Sequence, residues 1–111
     1  MEKAPARGRE PIALAGVQDA AALEQAVAMI AESRHAEAAA QLAPLGERFN
    51  SRNEAKRAAE SMFWLGYCYE KLGRPNEAAG LYGRVVQEYP QQPASRQAGL
   101  RLSQIPKPDQ P

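Results

Sequence analysis

Residues Ala59–Pro90 read AESMFWLGYCYEKLGRPNEAAGLYGRVVQEYP. The stretch reads as two helices joined by a tight turn. The first begins upstream at about Asn53, where Asn50, Ser51 and Asn53 compete as N-caps, and runs to Leu72. Ala55, Ala58, Ala59, Met62, Leu65, Gly66 and Tyr69 recur at three- and four-residue intervals and form its packing side. Gly73 ends it, at the position where a left-handed residue closes a helix. Pro75 follows in the first turn of the next helix, where a missing N–H costs nothing. That helix buries Ala78, Leu81, Tyr82, Val85 and Val86 and stops before Pro90.

The spacing Met62-x-x-Leu65-Gly66-x-x-Tyr69, then Gly73, Ala78-x-x-x-Tyr82 and Pro90, resembles the tetratricopeptide repeat. Gly66 and Ala78 are small where paired helices approach closely, and Tyr69 and Tyr82 fill the space beside them. The sequence departs from the pattern at Met62, where the family carries tryptophan; Trp64 stands two residues later. Methionine also fills a gap between helices. The resemblance implies an all-α, antiparallel helix-pair solenoid of about five helices, roughly two and a half repeats.

Upstream, Ser33-Arg34-His35-Ala36-Glu37-Ala38-Ala39 parallels Gly73-Arg74-Pro75-Asn76-Glu77-Ala78-Ala79, position for position. Leu42 answers Tyr82, and Leu45 answers Val85. The distance from Ser33 to Gly73 exceeds the family's usual period of about 34 residues. The surplus implies longer helices, a variant similar to those of bacterial cell-envelope proteins. A first helix is expected from about Asp19, its N-cap, to Glu32, with Leu23, Ala26, Val27 and Ile30 inward. A second covers about Ala36–Phe49. Pro44 interrupts it, so it is either one bent helix or two short ones. A fifth helix, from about Pro93 to Gln104, caps the array. Residues 1–17, with Pro5, Gly8, Pro11 and Gly16, read as a flexible N-terminal tail. Residues 18–105 form the helical domain and 106–111, PKPDQP, a disordered C-terminal tail.

The 111 residues carry 14 Lys+Arg against 13 Asp+Glu. So balanced a charge argues against a nucleic-acid partner, which usually requires a strongly basic domain. Arg48, Arg52, Lys56 and Arg57 do cluster, but Glu47, Glu54 and Glu60 interleave with them. No segment has the roughly 20 apolar residues of a membrane helix, and none resembles a signal peptide. The expected location is the cytoplasm, or the periplasm if the chain is cut from a longer protein.

Chemistry is sparse. Cys68 is the single cysteine and His35 the single histidine, so neither a disulfide nor a histidine-rich metal site is expected. Cys68 is read as a buried structural thiol and His35 as a turn residue. The glycines form no phosphate loop; Gly80 and Gly83 either admit a close neighbour or are tolerated on the surface. No catalytic residue, metal or cofactor is expected.

A protein-binding surface is the remaining expectation. In the family the first helix of each repeat lines a concave groove, and that register assigns Glu60, Phe63, Tyr67, Glu70 and Lys71 to it. Phe63 and Tyr67 are either aromatic anchors in the groove or packing residues that bury it. Chaperone-type repeats that grip a C-terminal carboxylate carry Lys and Asn at the places of Phe63 and Tyr67, so an apolar or helical ligand is implied instead. The expected function is a protein-interaction adaptor or self-assembling scaffold, with a homodimer through an uncapped end. The alternative is a periplasmic envelope-assembly module.

Overall fold

The computed structural model describes residues 3–106, with side chains from Leu14 onward. Its helices are α1 (Lys3–Ala31), α2 (His35–Leu42), α3 (Leu45–Ser51), α4 (Ala55–Lys71), α5 (Pro75–Glu88) and α6 (Pro93–Gln104). There is no strand among the described residues. The chain runs up α1, down α2–α3, up α4, down α5 and up α6. Central in this order, α4 touches every other helix. The all-α helix-pair architecture is therefore as the sequence implies.

Pro44 decides the second limb. It lacks the N–H that would continue the ladder, and the limb divides into α2 and α3 on either side of it. The surplus over the family period is shared between this limb and the next: His35–Ser51 and α4 are equally long, and both exceed α5.

Helix α1 differs most from expectation. Residues 3–17, read as a tail, are its first half, and Asp19 is no N-cap but an interior residue. Only 5% of Asp19 is exposed. Its carboxylate accepts hydrogen bonds from Arg48 Nη1 at 3.1 Å and Arg52 Nη2 at 2.8 Å. A buried carboxylate needs such partners, and these tie α1 to α3 and the turn after it. The C-terminal expectation falls, beyond Pro106, outside the described residues.

Three turns share one geometry. Ser33, Asn53 and Gly73 have φ of 64°, 62° and 78°. In each, two hydrogen bonds close the preceding helix. Gly73 N–H reaches Glu70 O at 3.1 Å and Arg74 N–H reaches Tyr69 O at 2.8 Å. Ser33 and Arg34 repeat this on Ile30 and Met29, and Asn53 and Glu54 on Asn50 and Phe49. This is the paired 5→2 and 6→1 closure of a helix C-terminus. Asn53 thus closes α3; Glu54 is the residue before α4, and no side chain caps that helix. The residue after each turn pairs with the side chain three positions on: Arg34 with Glu37, Glu54 with Arg57, Arg74 with Glu77.

The core is built of small residues and a few large ones. Ala26, Ala38, Ala58, Ala59, Ala78 and Ala98 are fully buried, as are Phe49, Tyr82 and Val85. A Cβ added to Gly66 would lie 2.8 Å from Tyr82 Cε1, so the family glycine is required by a neighbouring ring. Gly80 and Gly83 have no such neighbour; among the described residues no close approach accounts for them. Two polar ties complete the packing. Tyr89 Oη donates to Asn50 Oδ1 at 2.8 Å, joining α5 to α3, and Gln41 Nε2 donates to Ala22 O at 2.9 Å, joining α2 to α1.

Candidate interaction groove

The first helices of the successive pairs, α1 and α4, enclose a groove of about 850 Å³. Leu23, Glu24 and Val27 line it from α1, and Lys56, Arg57, Glu60 and Trp64 from α4. Gln92, in the turn before α6, also lines it. The wall on α4 follows helical arithmetic. At about 100° per residue, Lys56, Glu60, Trp64, Tyr67 and Lys71 stay within about 40° of one line.

The five residues expected in the groove divide by this rule. Glu60 lines the groove. Tyr67 and Lys71 lie further along the same line. Tyr67 is half-buried, with the Lys71 ammonium 5.3 Å and the Arg101 guanidinium 4.8 Å from its ring centre. Phe63 and Glu70 fall about 60° and 80° off the line and turn towards α5 and α6. Phe63 is only 9% exposed and its ring lies 5.6 Å from that of Tyr82. It packs in the core. Glu70 Oε1 accepts from Tyr82 Oη and from Arg101 Nε, both at 2.7 Å. Burial pushes the Glu70 carboxyl up, but the two hydrogen bonds outweigh it and hold the group below its ordinary value. Glu70 therefore bolts α4 to α5 and α6.

Sequence reasoning missed Trp64. It is half-buried, packs edge-on against Phe63 at 5.1 Å and Tyr67 at 5.6 Å, and faces the groove. Its signal was the four-residue step from Glu60. The contribution of α1 had no comparable signal, because it depends on which helix lies opposite α4.

The remaining candidates have structural surroundings. Cys68 is fully buried, and burial pushes its thiol up to about 11, away from thiolate chemistry at neutral pH. His35 is half-buried at the start of α2, with its ring 6.2 Å from Tyr67. No group of three metal-ligating side chains occurs among the described residues. The basic cluster is largely consumed: Arg48 and Arg52 hold Asp19, and Arg57 holds Glu54. No helix among the described residues is long and apolar enough to cross a membrane.

The close-packed α4–α5 pair, its Gly66–Tyr82 contact and its left-handed turn at Gly73 define a helical-repeat protein. Residues 60–91 match the family model described as Tetratricopeptide repeat, so the α4–α5 pair carries a repeat of that family. No curated protein and no solved structure matches the chain. Repeats of this family are in general non-catalytic protein-interaction modules.

Proposed function

We propose that the protein is an interaction adaptor that receives a segment of a partner protein in the groove between α1 and α4. The observation that carries this reading is the groove itself. It has about 850 Å³ of space, an apolar side from Leu23 and Val27, and a half-buried Trp64 on the facing helix. A large aromatic ring in a concavity is the usual energetic centre of a peptide site. Glu60, Tyr67 and Lys71 extend the surface along α4. Phe63 and Glu70 support it from behind.

The test is a quantitative capture from native lysate with the wild type and a Trp64→Ala variant. Circular dichroism establishes first that the variant is helical. A partner retained by the wild type and lost by the variant supports the reading. Equal capture by both overturns it. Recovery of the protein alone would replace the adaptor with self-assembly.

A further inference from the structure

The chain uses one three-body arrangement repeatedly. The guanidinium of Arg52 stands 5.4 Å from the Phe49 ring centre and is hydrogen-bonded to Asp19 and Glu54. The guanidinium of Arg101 stands 4.8 Å from the Tyr67 ring centre, with Nε 2.7 Å from Glu70 Oε1. Likewise, the guanidinium of Arg74 stands 4.8 Å from the Tyr69 ring centre and is hydrogen-bonded to Glu77. In each, an arginine lies against an aromatic ring while a carboxylate takes its N–H groups. The pattern combines cation–π attraction with charge-assisted hydrogen bonding.

The groove presents the ring and the acids of this arrangement without the arginine. Trp64 and Glu60 stand one helical turn apart on α4, and Glu24 joins them from α1. Among the described residues no guanidinium lies over Trp64, and neither Glu24 nor Glu60 enters an ion pair. The arginine that lines the groove is committed, Arg57 to Glu54 at 3.0 Å, and so is Arg52, to Glu54 and Asp19. Lys56 lines the groove but also enters no ion pair among the described residues. Indole is the strongest of the aromatic cation acceptors. Guanidinium is planar, weakly hydrated, and carries enough N–H groups to serve two carboxylates while stacking.

We infer that the groove selects a partner segment with an arginine whose guanidinium stacks on Trp64 between Glu24 and Glu60. Apolar neighbours of that arginine cover Leu23 and Val27. This rests on the adaptor reading of the groove and names the chemistry of its ligand. Lys56 is a competitor for the two acids, so its removal favours the ligand.

The experiment is selection from a phage-displayed random peptide library on the intact chain, followed by affinity measurement with the selected peptides. Arginine is expected at one fixed position, flanked by apolar residues. Replacing that arginine by citrulline, which removes the charge and keeps the shape, should weaken binding by about tenfold. Glu24→Gln/Glu60→Gln should cause the same loss, and the two losses should not add. Lys56→Ala should tighten binding. Ala20 also lines the groove from α1. Selected peptides that lack a base and bind Glu24→Gln/Glu60→Gln normally, yet are excluded by a groove-filling Ala20→Trp, would overturn this inference and leave the groove standing. Peptides indifferent to Ala20→Trp as well, or no selection at all, would overturn both.

Discussion

Substituting Gly66 by alanine sets two effects of opposite sign against each other. Alanine in place of glycine inside a helix gains about 1 kcal/mol of intrinsic propensity. The new methyl, however, would lie 2.8, 3.1 and 3.3 Å from Cε1, Cδ1 and Cζ of Tyr82. Carbon atoms rest at about 3.5–4.0 Å, so the ring must retreat by roughly 0.7 Å or more. It has nowhere easy to go. Tyr82 is fully buried, Phe63 packs against it, and its hydroxyl is held by Glu70 at 2.7 Å. Overpacking of this kind costs about 1–3 kcal/mol, and weakening a hydrogen bond to a carboxylate adds to it. The net expectation is a loss of about 1–2 kcal/mol. Gly80→Ala on the neighbouring helix is the control. Nothing lies within 4 Å of its added Cβ, so propensity alone acts and stability should rise, by about 1 kcal/mol at most. Urea unfolding monitored by Trp64 fluorescence and circular dichroism gives both midpoints. Gly66→Ala should lower the midpoint and Gly80→Ala should raise it. Equal shifts, or a stabilised Gly66→Ala, would refute the claim that the Tyr82 ring dictates glycine at 66.

Other perturbations follow from the same structure. Ser33→Gly relieves a non-glycine φ of 64° and should raise the melting temperature, by up to about 1 kcal/mol of stability after the greater freedom of the unfolded glycine is deducted. Asp19→Asn should lower the urea midpoint, because Arg48 and Arg52 both lose the buried carboxylate that ties them to α1; Arg48→Ala, at a more exposed contact, should lower it less. The Glu70 carboxyl is held below its ordinary value of 4.5, so its contribution is present above that pH. As pH falls, the unfolded chain takes up the proton first, and the contribution is lost through the folded value. Acid unfolding profiles should therefore be flatter in Glu70→Gln. Cys68, buried and with its thiol pushed up to about 11, should react with a disulfide reagent at neutral pH only as fast as the protein opens. The reaction should be faster in Gly66→Ala.

The legible parts of the fold were those fixed by local chemistry. Pro75, Gly73 and Pro93 mark helix ends whatever lies around them: α4 closes just before Gly73, and α5 and α6 begin at Pro75 and Pro93. Pro44 likewise announced a break, although the choice between a bend and two helices depended on packing. Asp19 misled because an acid before an apolar run is a good N-cap, while its actual partners lie 29 and 33 residues away. The groove was half legible. Glu60 could be placed from the register of one helix, but the family register, rotated slightly about the α4 axis, put Phe63 where Trp64 belongs. No rule of spacing shows that α1 supplies the opposite wall.

The three left-handed turns recur at Ser33, Asn53 and Gly73, evenly spaced along the chain. Each reverses the direction of the chain, so two of them restore it. An insertion or deletion of one limb, the stretch from one such turn to the next, would therefore turn every downstream helix upside down and exchange the concave layer for the outer one. A change of two limbs preserves both polarity and layer. Growth of the array by duplication is thus quantised in pairs of limbs, and a duplicated segment 34–73 would add a second groove wall facing the same way as the first.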